Sequence, residues 1–153
     1  MAGAREVAKL RTETGAGVMD CKRALQDAAG DYEKAKSLLK ERGLARAAKT
    51  AEREANQGAV EAYIHAGGRI GALVELSSET DFVARNQDFK DLAREIAMQV
   101  AAMEPADVDE LLGQSYIKDA GRTIGDLVTA LAASTGENVH VRRIARFELG
   151  KTS

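Results

Sequence analysis

Few side chains in this sequence are placed to perform covalent chemistry. Asp and Glu account for 24 of the 153 residues, but there are only two histidines, and neither is spaced to act as an acid–base partner for a carboxylate. His65 and His140 lie on predicted strands. Cys21 falls on an apolar helical stripe, which favours core packing over a nucleophile. Because these residues also lack metal-ligand spacing, the sequence predicts no enzyme, no metal and no cofactor.

A basic segment near the C-terminus offers a second kind of chemistry. Arg142, Arg143 and Arg146 could bind an anion or RNA, or they could form a solvated face paired with Glu75 or Glu148 across a sheet. The formal net charge of −2 gives no electrostatic reason to expect nucleic acid as the main ligand. The paired alternative is therefore favoured, and no direct nucleic-acid partner is expected.

The features left without an explanation are apolar. Val18 and Met19 follow the turn sequence TGAG, and TDFV (residues 80–83) precedes Asn86, a predicted helix N-cap. A turn this short usually uses Gly, Pro, Asn or Ser, so Phe82 is unexpected. It either tucks under the helix as a hydrophobic staple or protrudes as a contact residue, and Asp81 could satisfy turn amides. Pattern alone favours the buried alternative and leaves the other open.

The elements that position these residues fall into two parts. Residues 1–43 predict three short helices with narrow apolar stripes, separated by TGAG and by Gly30, and Gly43 is expected to end the third. Residues 44–57 predict a solvated, charged helical connector. The apolar stripes contain Val7 and Leu10, then Val18, Cys21, Leu25 and Ala28, then Ala35, Leu38 and Leu39.

From residue 58 to residue 153 the apolar period changes from 3.6 to 2, which predicts a separate α+β core. Ala59–His65 and the following RIGALVELS predict a hairpin around Gly67-Gly68, with Val60, Ala62 and Ile64 on one side of the first strand. A helix from about residue 87 to 103, a helical turn in ADVDELLG and a helix to Ala133 follow. The last strand, 137–149, changes phase near Arg142-Arg143, which predicts a bulge. The result is a small three-stranded antiparallel sheet packed with helices.

The composition is typical of a soluble cytoplasmic protein. Apolar residues make up 44% of the chain, enough for a real core. No apolar run approaches the roughly 18 residues that span a bilayer, and the N-terminal residues lack a hydrophobic signal core. A single cysteine fits a reducing compartment. The sequence predicts no membrane partner.

Three separated motifs resemble the elongation factor Ts family, in the family's order. KLRTETGAGVMDCKRAL (residues 9–25) resembles its N-terminal module, which is ubiquitin-associated-domain-like. VELSSETDFVARNQDF (74–89) resembles its most characteristic segment, and GENVHVRRIARFELG (136–150) resembles a strand near the end of its core. Together they cover most of the chain, which resembles a short form of the family.

The resemblance implies a guanine-nucleotide exchange factor for the GTPase elongation factor Tu. Thr80, Asp81, Phe82 and Val83 then form the tip that inserts its aromatic ring into the nucleotide domain, disturbs the Mg²⁺ and phosphate site and releases GDP. The N-terminal module is expected to dock on the same domain. Its matching residues are Lys9, Leu10, Arg11, Thr14, Gly15, Ala16, Gly17, Val18 and Met19.

The chain also departs from the family. Many members have a long helical hairpin, whereas the segment between Pro105 and Gly113 leaves no room for one, and Val18 replaces the first residue of the usual Met-Met pair. Short members pair their single core half with a second copy, so the resemblance implies a homodimer through the sheet. Two alternatives are a non-catalytic adaptor built on the N-terminal module and an RNA-binding factor built on the arginine strand.

Overall fold

The structure, a computed structural model, describes residues 3–151. The two residues at each end of the chain lie outside the described part. They belong to the predicted segments 1–43 and 58–153. The fold is α+β, with helices first and a three-stranded antiparallel sheet packed with helices after them. The helices are α1 (Ala4–Thr14), α2 (Val18–Asp27), α3 (Tyr32–Thr50), α4 (Asp81–Ala84), α5 (Gln87–Met103), α6 (Val108–Gly113) and α7 (Ile124–Thr135). The strands are β1 (Gln57–Ile64), β2 (Ile70–Ser78), β3 (Ser115–Tyr116), β4 (Asp119–Thr123) and β5 (His140–Glu148).

The first three helices enclose a small apolar core of their own, because their narrow stripes face one another. Cys21 lies within it without exposed surface, which confirms the prediction that this cysteine packs in a core. The other buried members are Leu10, Ala24, Leu25, Ala28, Ala35 and Leu39. Only three leucines, three alanines and the cysteine form this cluster, so it buries little apolar area and is expected to be only modestly stable.

Gly43 does not end the third helix, and the prediction that it does so is wrong. Helix α3 continues through Gly43 to Thr50, so half of the predicted connector 44–57 is helical and belongs to α3. The reason is a tertiary contact with α7: a Cβ placed on Gly43 would lie 3.1 Å from the Cβ of Ala133. Glycine therefore allows a close helix approach here. One continuous helix joins the N-terminal helices to the core.

The main core lies between the sheet and helix α5. The sheet has the order β1-β2-β5, so β2 is central and pairs antiparallel with both neighbours. Ala72, Val74 and Leu76 of β2 are buried against α5, as their period of two predicts. The β1–β2 turn places Gly67 and Gly68 at positive φ, 86° and 70°, which confirms the predicted hairpin.

The opposite side of the sheet carries an exposed apolar patch beside the Glu75–Arg143 ion pair. We call it the outer sheet face and define it by the cross-strand register as Val60, Ala62, Ile64, Leu73, Ala145 and Phe147. Phe147 is 75% exposed, and Val60 and Ile64 are also exposed. Strand β1 instead turns Ala59 and Tyr63 toward the main core. The predicted apolar side of β1 exists, but it faces away from the helices.

The predicted phase change in the last strand is present. The pairing of β2 with β5 shifts between Glu75 and Leu76, which pair with Arg143 and Val141, so Arg142 is the extra residue of a bulge. Because of this bulge, Val141 and Ile144 both pack toward the main core. The bulge predicted from the phase change between Val141 and Ile144 is therefore confirmed.

The segment between α5 and α7 is only partly as predicted. Helix α6 corresponds to the expected helical turn, and Thr123 caps α7 with a hydroxyl that accepts a hydrogen bond from the amide of Asp126 (3.0 Å). The small β3–β4 hairpin was not predicted. Gln99 of α5 anchors it, since the Gln99 side chain donates to the carbonyl of Ser115 (3.1 Å) and accepts from the amide of Ile117 (3.0 Å). No helix of residues 3–151 combines the length and apolarity needed to cross a membrane.

Candidate functional site

Residues 80–83 lie where the central strand meets helix α5. Strand β2 ends at Ser78, and residues 81–84 form the one-turn helix α4 rather than the turn expected from the sequence. Asn86 then caps α5, because its side-chain oxygen accepts a hydrogen bond from the amide of Asp88 (2.9 Å), as predicted. We call Thr80–Val83 the tip.

Phe82 protrudes from the tip and is 80% exposed. Val83 and Ala84 pack instead against the main core. Successive helical side chains are about 100° apart, so a helix that turns residues 83 and 84 inward directs residue 82 outward. The alternative in which Phe82 is a buried staple is therefore wrong for this structure, and the buried aromatic of this region is Phe89, which has no exposed surface.

Thr80 begins the tip as the N-cap of α4. Its hydroxyl oxygen accepts a hydrogen bond from the amide of Val83, at 3.4 Å. Its carbonyl oxygen accepts a hydrogen bond from the hydroxyl of Ser78 (2.9 Å) and a longer one from the amide of Ala84 (3.4 Å). These contacts tie the start of α4 to the end of β2.

Glu137, a residue distant in sequence, holds Thr80 from the other side. Its Oε1 accepts hydrogen bonds from the amides of Glu79 (3.1 Å) and Thr80 (3.0 Å), and its Oε2 accepts one from the Thr80 hydroxyl (2.7 Å). In return, Glu79 Oε2 accepts a hydrogen bond from the amide of Asn138 (2.7 Å). Sequence reasoning missed this contribution. The only signal was that Glu137 belongs to the third motif, GENVHVRR.

Asp81 shares the tip but makes a different contact. Its carboxylate lies 3.2 Å from the guanidinium of Arg85, one turn along the chain, and both side chains are largely exposed. Exposed pairs of this kind contribute between about 0 and 1 kcal/mol. Asp81 is therefore free to exchange Arg85 for another partner at low cost.

The predicted contact residues of the N-terminal module do not all lie on its surface. Leu10 is fully buried in the module core, so its side chain is not available for a partner. Thr14 is half-buried, and its hydroxyl donates to the Leu10 carbonyl oxygen (2.7 Å) and accepts from the Ala16 amide (3.3 Å). Ala16 is also half-buried. These three residues shape the α1–α2 turn from within.

The remaining residues of that set are exposed. Val18 and Met19 occupy the first turn of α2 and leave two apolar side chains uncovered. Gly15 adopts the left-handed conformation (φ 70°) that ends α1, and Gly17 is the N-cap of α2. Arg11 is exposed in the last turn of α1. Lys9 also lies on α1, with its ammonium group 4.8 Å from the centre of the Tyr32 ring.

The surroundings of two titratable groups in the N-terminal module shift their pKa values. A hydrogen bond from Lys36 (3.1 Å) lowers the pKa of Glu13. Burial raises the pKa of the Cys21 thiol, which keeps it protonated and unreactive at neutral pH. Residues 3–151 contain no group of three or more His, Cys, Asp or Glu side chains placed to hold a metal ion.

The arginines of the last strand are engaged by carboxylates, which confirms the paired alternative. Arg143 Nε donates to Glu75 Oε1 (2.6 Å), and Arg142 Nε lies 3.6 Å from the same carboxylate. The side chain of Arg146 is only 13% exposed; its guanidinium donates to Glu148 Oε1 and to the Ala101 carbonyl oxygen. Arg146 thus turns away from the other two, and the three do not form one basic patch.

Comparison with known proteins places these features in a family. A family model described as "Elongation factor TS" matches residues 79–153, from the tip to the end of the chain. Elongation factor Ts of Carboxydothermus hydrogenoformans is 45% identical over 190 aligned positions, covering 95% of this chain and 88% of that protein. Elongation factor Ts of Caldanaerobacter subterraneus subsp. tengcongensis is 42% identical, covering 99% and 98%. This chain belongs to the elongation factor Ts family.

Members of the elongation factor Ts family differ from this chain in length within the matched region. The match to the Carboxydothermus protein runs over 190 positions, and 95% of this 153-residue chain supplies only about 145 of them. That relative therefore carries about 45 residues with no counterpart here. A similar elongation factor Ts from a Synechococcus species is 43% identical, and 75% of its length is covered. The chain is a short form of the family.

Proposed function

We propose that this protein is a guanine-nucleotide exchange factor that binds elongation factor Tu carrying GDP and releases the nucleotide during translation elongation in the cytoplasm. Membership of the elongation factor Ts family supports the role in elongation. The single observation that supports the mechanism is the 80% exposure of Phe82 on a helix whose N-cap is held from two sides. An aromatic side chain kept out of a core is available for burial in a partner.

The proposed reaction changes no covalent bond, so it requires no acid, base or nucleophile. The factor must bind the nucleotide-free GTPase more tightly than the loaded GTPase, and by linkage the nucleotide then weakens factor binding equally. Each tenfold loss of nucleotide affinity requires about 1.4 kcal/mol of differential contact. Full burial of a side chain such as Phe82 contributes about 1.5–3 kcal/mol, which is enough for part of the effect.

Each part of the site then has a proposed role. Phe82 enters the nucleotide domain of the GTPase and disturbs its Mg²⁺ and phosphate site. Asp81 exchanges its exposed partner Arg85 for a group of the GTPase, and the half-buried Val83 supports the ring from below. Val18 and Met19 supply a second apolar contact from the N-terminal module. Residues 1–43 act as this docking module, 44–57 as the connection and 58–153 as the core.

Nucleotide release from elongation factor Tu tests this function directly. The GTPase is loaded with a fluorescent guanine nucleotide and mixed with this protein and excess unlabelled nucleotide. The proposal requires release faster than the spontaneous rate, in proportion to the factor concentration at low occupancy. An unchanged rate at saturating factor rejects it.

The outer sheet face supports a further part of the proposal, a homodimer. Its apolar side chains are contiguous, since the register places Ala62 beside Leu73 and Leu73 beside Ala145. Phe147 lies on the same face, next to Gly71. A two-fold axis brings the same patch of two copies together and covers both. We therefore assign a second copy of this chain to the face, so that each dimer carries two tips.

A further inference from the structure

We infer that Glu137 is the positioning residue of the tip: its carboxylate sets the direction in which Phe82 points. The inference rests on the proposed function for its kinetic consequence, but the anchoring itself is a property of the free protein. Glu137 is not expected to touch the GTPase. It acts through Thr80.

Helix α4 cannot hold Phe82 in place by itself. It contains only four residues, and forming a first helical turn fixes many dihedral angles for few hydrogen bonds, so an isolated turn is unstable. The exposed Asp81–Arg85 pair adds little. The orientation of the turn must therefore come from contacts outside it, namely the packing of Val83 and Ala84 and the capping by Thr80.

The amide, carbonyl and hydroxyl groups of Thr80 all have hydrogen-bond partners, and Glu137 accepts two of these hydrogen bonds. The amide and the hydroxyl proton of Thr80 both go to the Glu137 carboxylate, at 3.0 and 2.7 Å. Because the hydroxyl proton points to Glu137, a lone pair of the same oxygen is left to accept from the Val83 amide, which is the capping bond of α4. Without the carboxylate, the Thr80 hydroxyl is free to rotate away from the capping geometry.

The backbone that carries this carboxylate is tied to neighbouring segments. Gly136 ends α7, and the amide of Glu137 donates to the hydroxyl of Thr135 (3.3 Å). The next residue, Asn138, donates its amide to Glu79 (2.7 Å) and its side chain to the carbonyl oxygen of Arg53 (2.7 Å). The segment before β5, the end of β2 and the segment after α3 are thus tied together at the base of the tip.

Loosening this anchor is expected to slow exchange while leaving the fold intact. A contact residue that is already ordered, as proposed for Phe82, binds without a further loss of conformational freedom. Misplacing a contact group by a small distance reduces rates by as much as about 100-fold. We expect Glu137→Ala to lower the exchange rate at low occupancy about 10- to 100-fold. Glu137→Gln retains an oxygen for the two amides but loses the acceptor for the Thr80 hydroxyl, so its effect should be intermediate.

A double-mutant cycle on nucleotide release separates positioning from general damage. Glu137→Ala is measured alone and in the Phe82→Ala background, with folding of every variant checked by circular dichroism. If Glu137 acts through the ring, its substitution has no further effect once Phe82 is removed. Equal effects in both backgrounds, or wild-type release by folded Glu137→Ala, overturn the inference. The matched control is Glu95→Ala, which removes a half-buried carboxylate that accepts from Tyr116 and Lys118, and it should exchange normally.

A second measurement tests the anchor without the GTPase. The chain contains no tryptophan, so Phe82→Trp introduces a single fluorescent reporter at the tip. Its anisotropy decay should show a small fast component, and Glu137→Ala or Glu137→Gln should enlarge that component. An unchanged decay in both variants contradicts the anchoring. If the wild-type protein fails to accelerate nucleotide release, the proposed function falls, while the anisotropy experiment still decides whether Glu137 positions the tip.

Discussion

Phe82 and Phe89, seven residues apart on consecutive helices, occupy opposite environments: Phe82 is 80% exposed and Phe89 has no exposed surface. Phe89 packs in the main core under the sheet. Phe82 has been kept out of that core, although its burial would stabilise the fold by about 1.5–3 kcal/mol. Phe89 therefore serves the fold, and we propose that Phe82 serves contact with a partner.

This division predicts that the same substitution lowers stability strongly at one ring and hardly at all at the other. Phe89→Ala should lower the free energy of unfolding by about 3–5 kcal/mol, because it leaves a cavity in the core. Phe82→Ala should change it by less than about 0.5 kcal/mol, as expected for an exposed site. Urea denaturation of both variants measures the difference. A loss at Phe82 comparable with that at Phe89 would show that the ring is a packing residue.

The proposed dimer predicts that a charge placed at the centre of the outer sheet face prevents dimerisation. The wild-type protein should be a dimer at micromolar concentration, and Leu73→Lys should make it a folded monomer because a charge is placed where two faces meet. Size-exclusion chromatography with light scattering measures both. Ile117→Lys is the control, since Ile117 on the β3–β4 hairpin is 44% exposed and Leu73 is 45% exposed. A wild-type monomer under these conditions would remove the dimer.

A backbone feature of the N-terminal module predicts a stabilising substitution. Ala29 has a positive φ of 51° just after α2, a conformation that glycine adopts without the penalty imposed by a Cβ. Ala29→Gly should therefore raise the free energy of unfolding by about 0.5–1 kcal/mol. Ala45→Gly, the same change at an exposed position inside α3, should lower it by a similar amount. Calorimetric midpoints that move in the same direction for both variants would contradict this account.

The Tyr116–Glu95 contact predicts a loss of stability at alkaline pH. Burial and the hydrogen bond to Glu95 raise the pKa of Tyr116 to about 12. Folding therefore favours the protonated phenol, so its stabilising effect is complete below the ordinary tyrosine pKa of about 10 and is lost as the pH rises toward 12. Ultraviolet titration of the native protein should show this late ionisation. Tyr116→Phe should lower its amplitude and leave the late ionisation of Tyr32, because burial raises the pKa of Tyr32 to about 12 as well. Ionisation of Tyr116 near pH 10 in the folded protein would refute the prediction.

Local patterns in the sequence predicted most of the fold, because the features concerned depend on neighbours along the chain. The Asn86 cap, the Gly67-Gly68 turn and the bulge beside Arg143 are of this kind. The end of α3 was predicted wrongly, since the close approach of Ala133 to Gly43 is a contact between distant segments. The β3–β4 hairpin was missed because its strands are short and held by Gln99 from another helix.

The candidate site likewise combines features that local patterns reveal with features that depend on distant segments. An alternating apolar side of β1 indicates that its two faces differ, but not which face packs against the helices, and Val60 proved to face outward. The motif around Phe82 was visible in the sequence, whereas its environment was not. Glu137 could not be connected with Thr80 by any local pattern, because 57 residues separate them. A residue that acts by holding another is visible only in three dimensions.

The central claim is that Phe82 promotes nucleotide release, and the most direct test compares the release of a fluorescent guanine nucleotide from elongation factor Tu by the wild-type protein and by Phe82→Ala. The claim predicts acceleration by the wild type and a rate at least about tenfold lower for Phe82→Ala, which corresponds to about 1.4 kcal/mol of lost contact. Both proteins should retain the same unfolding midpoint. Equal release rates for the two folded proteins would contradict the claim.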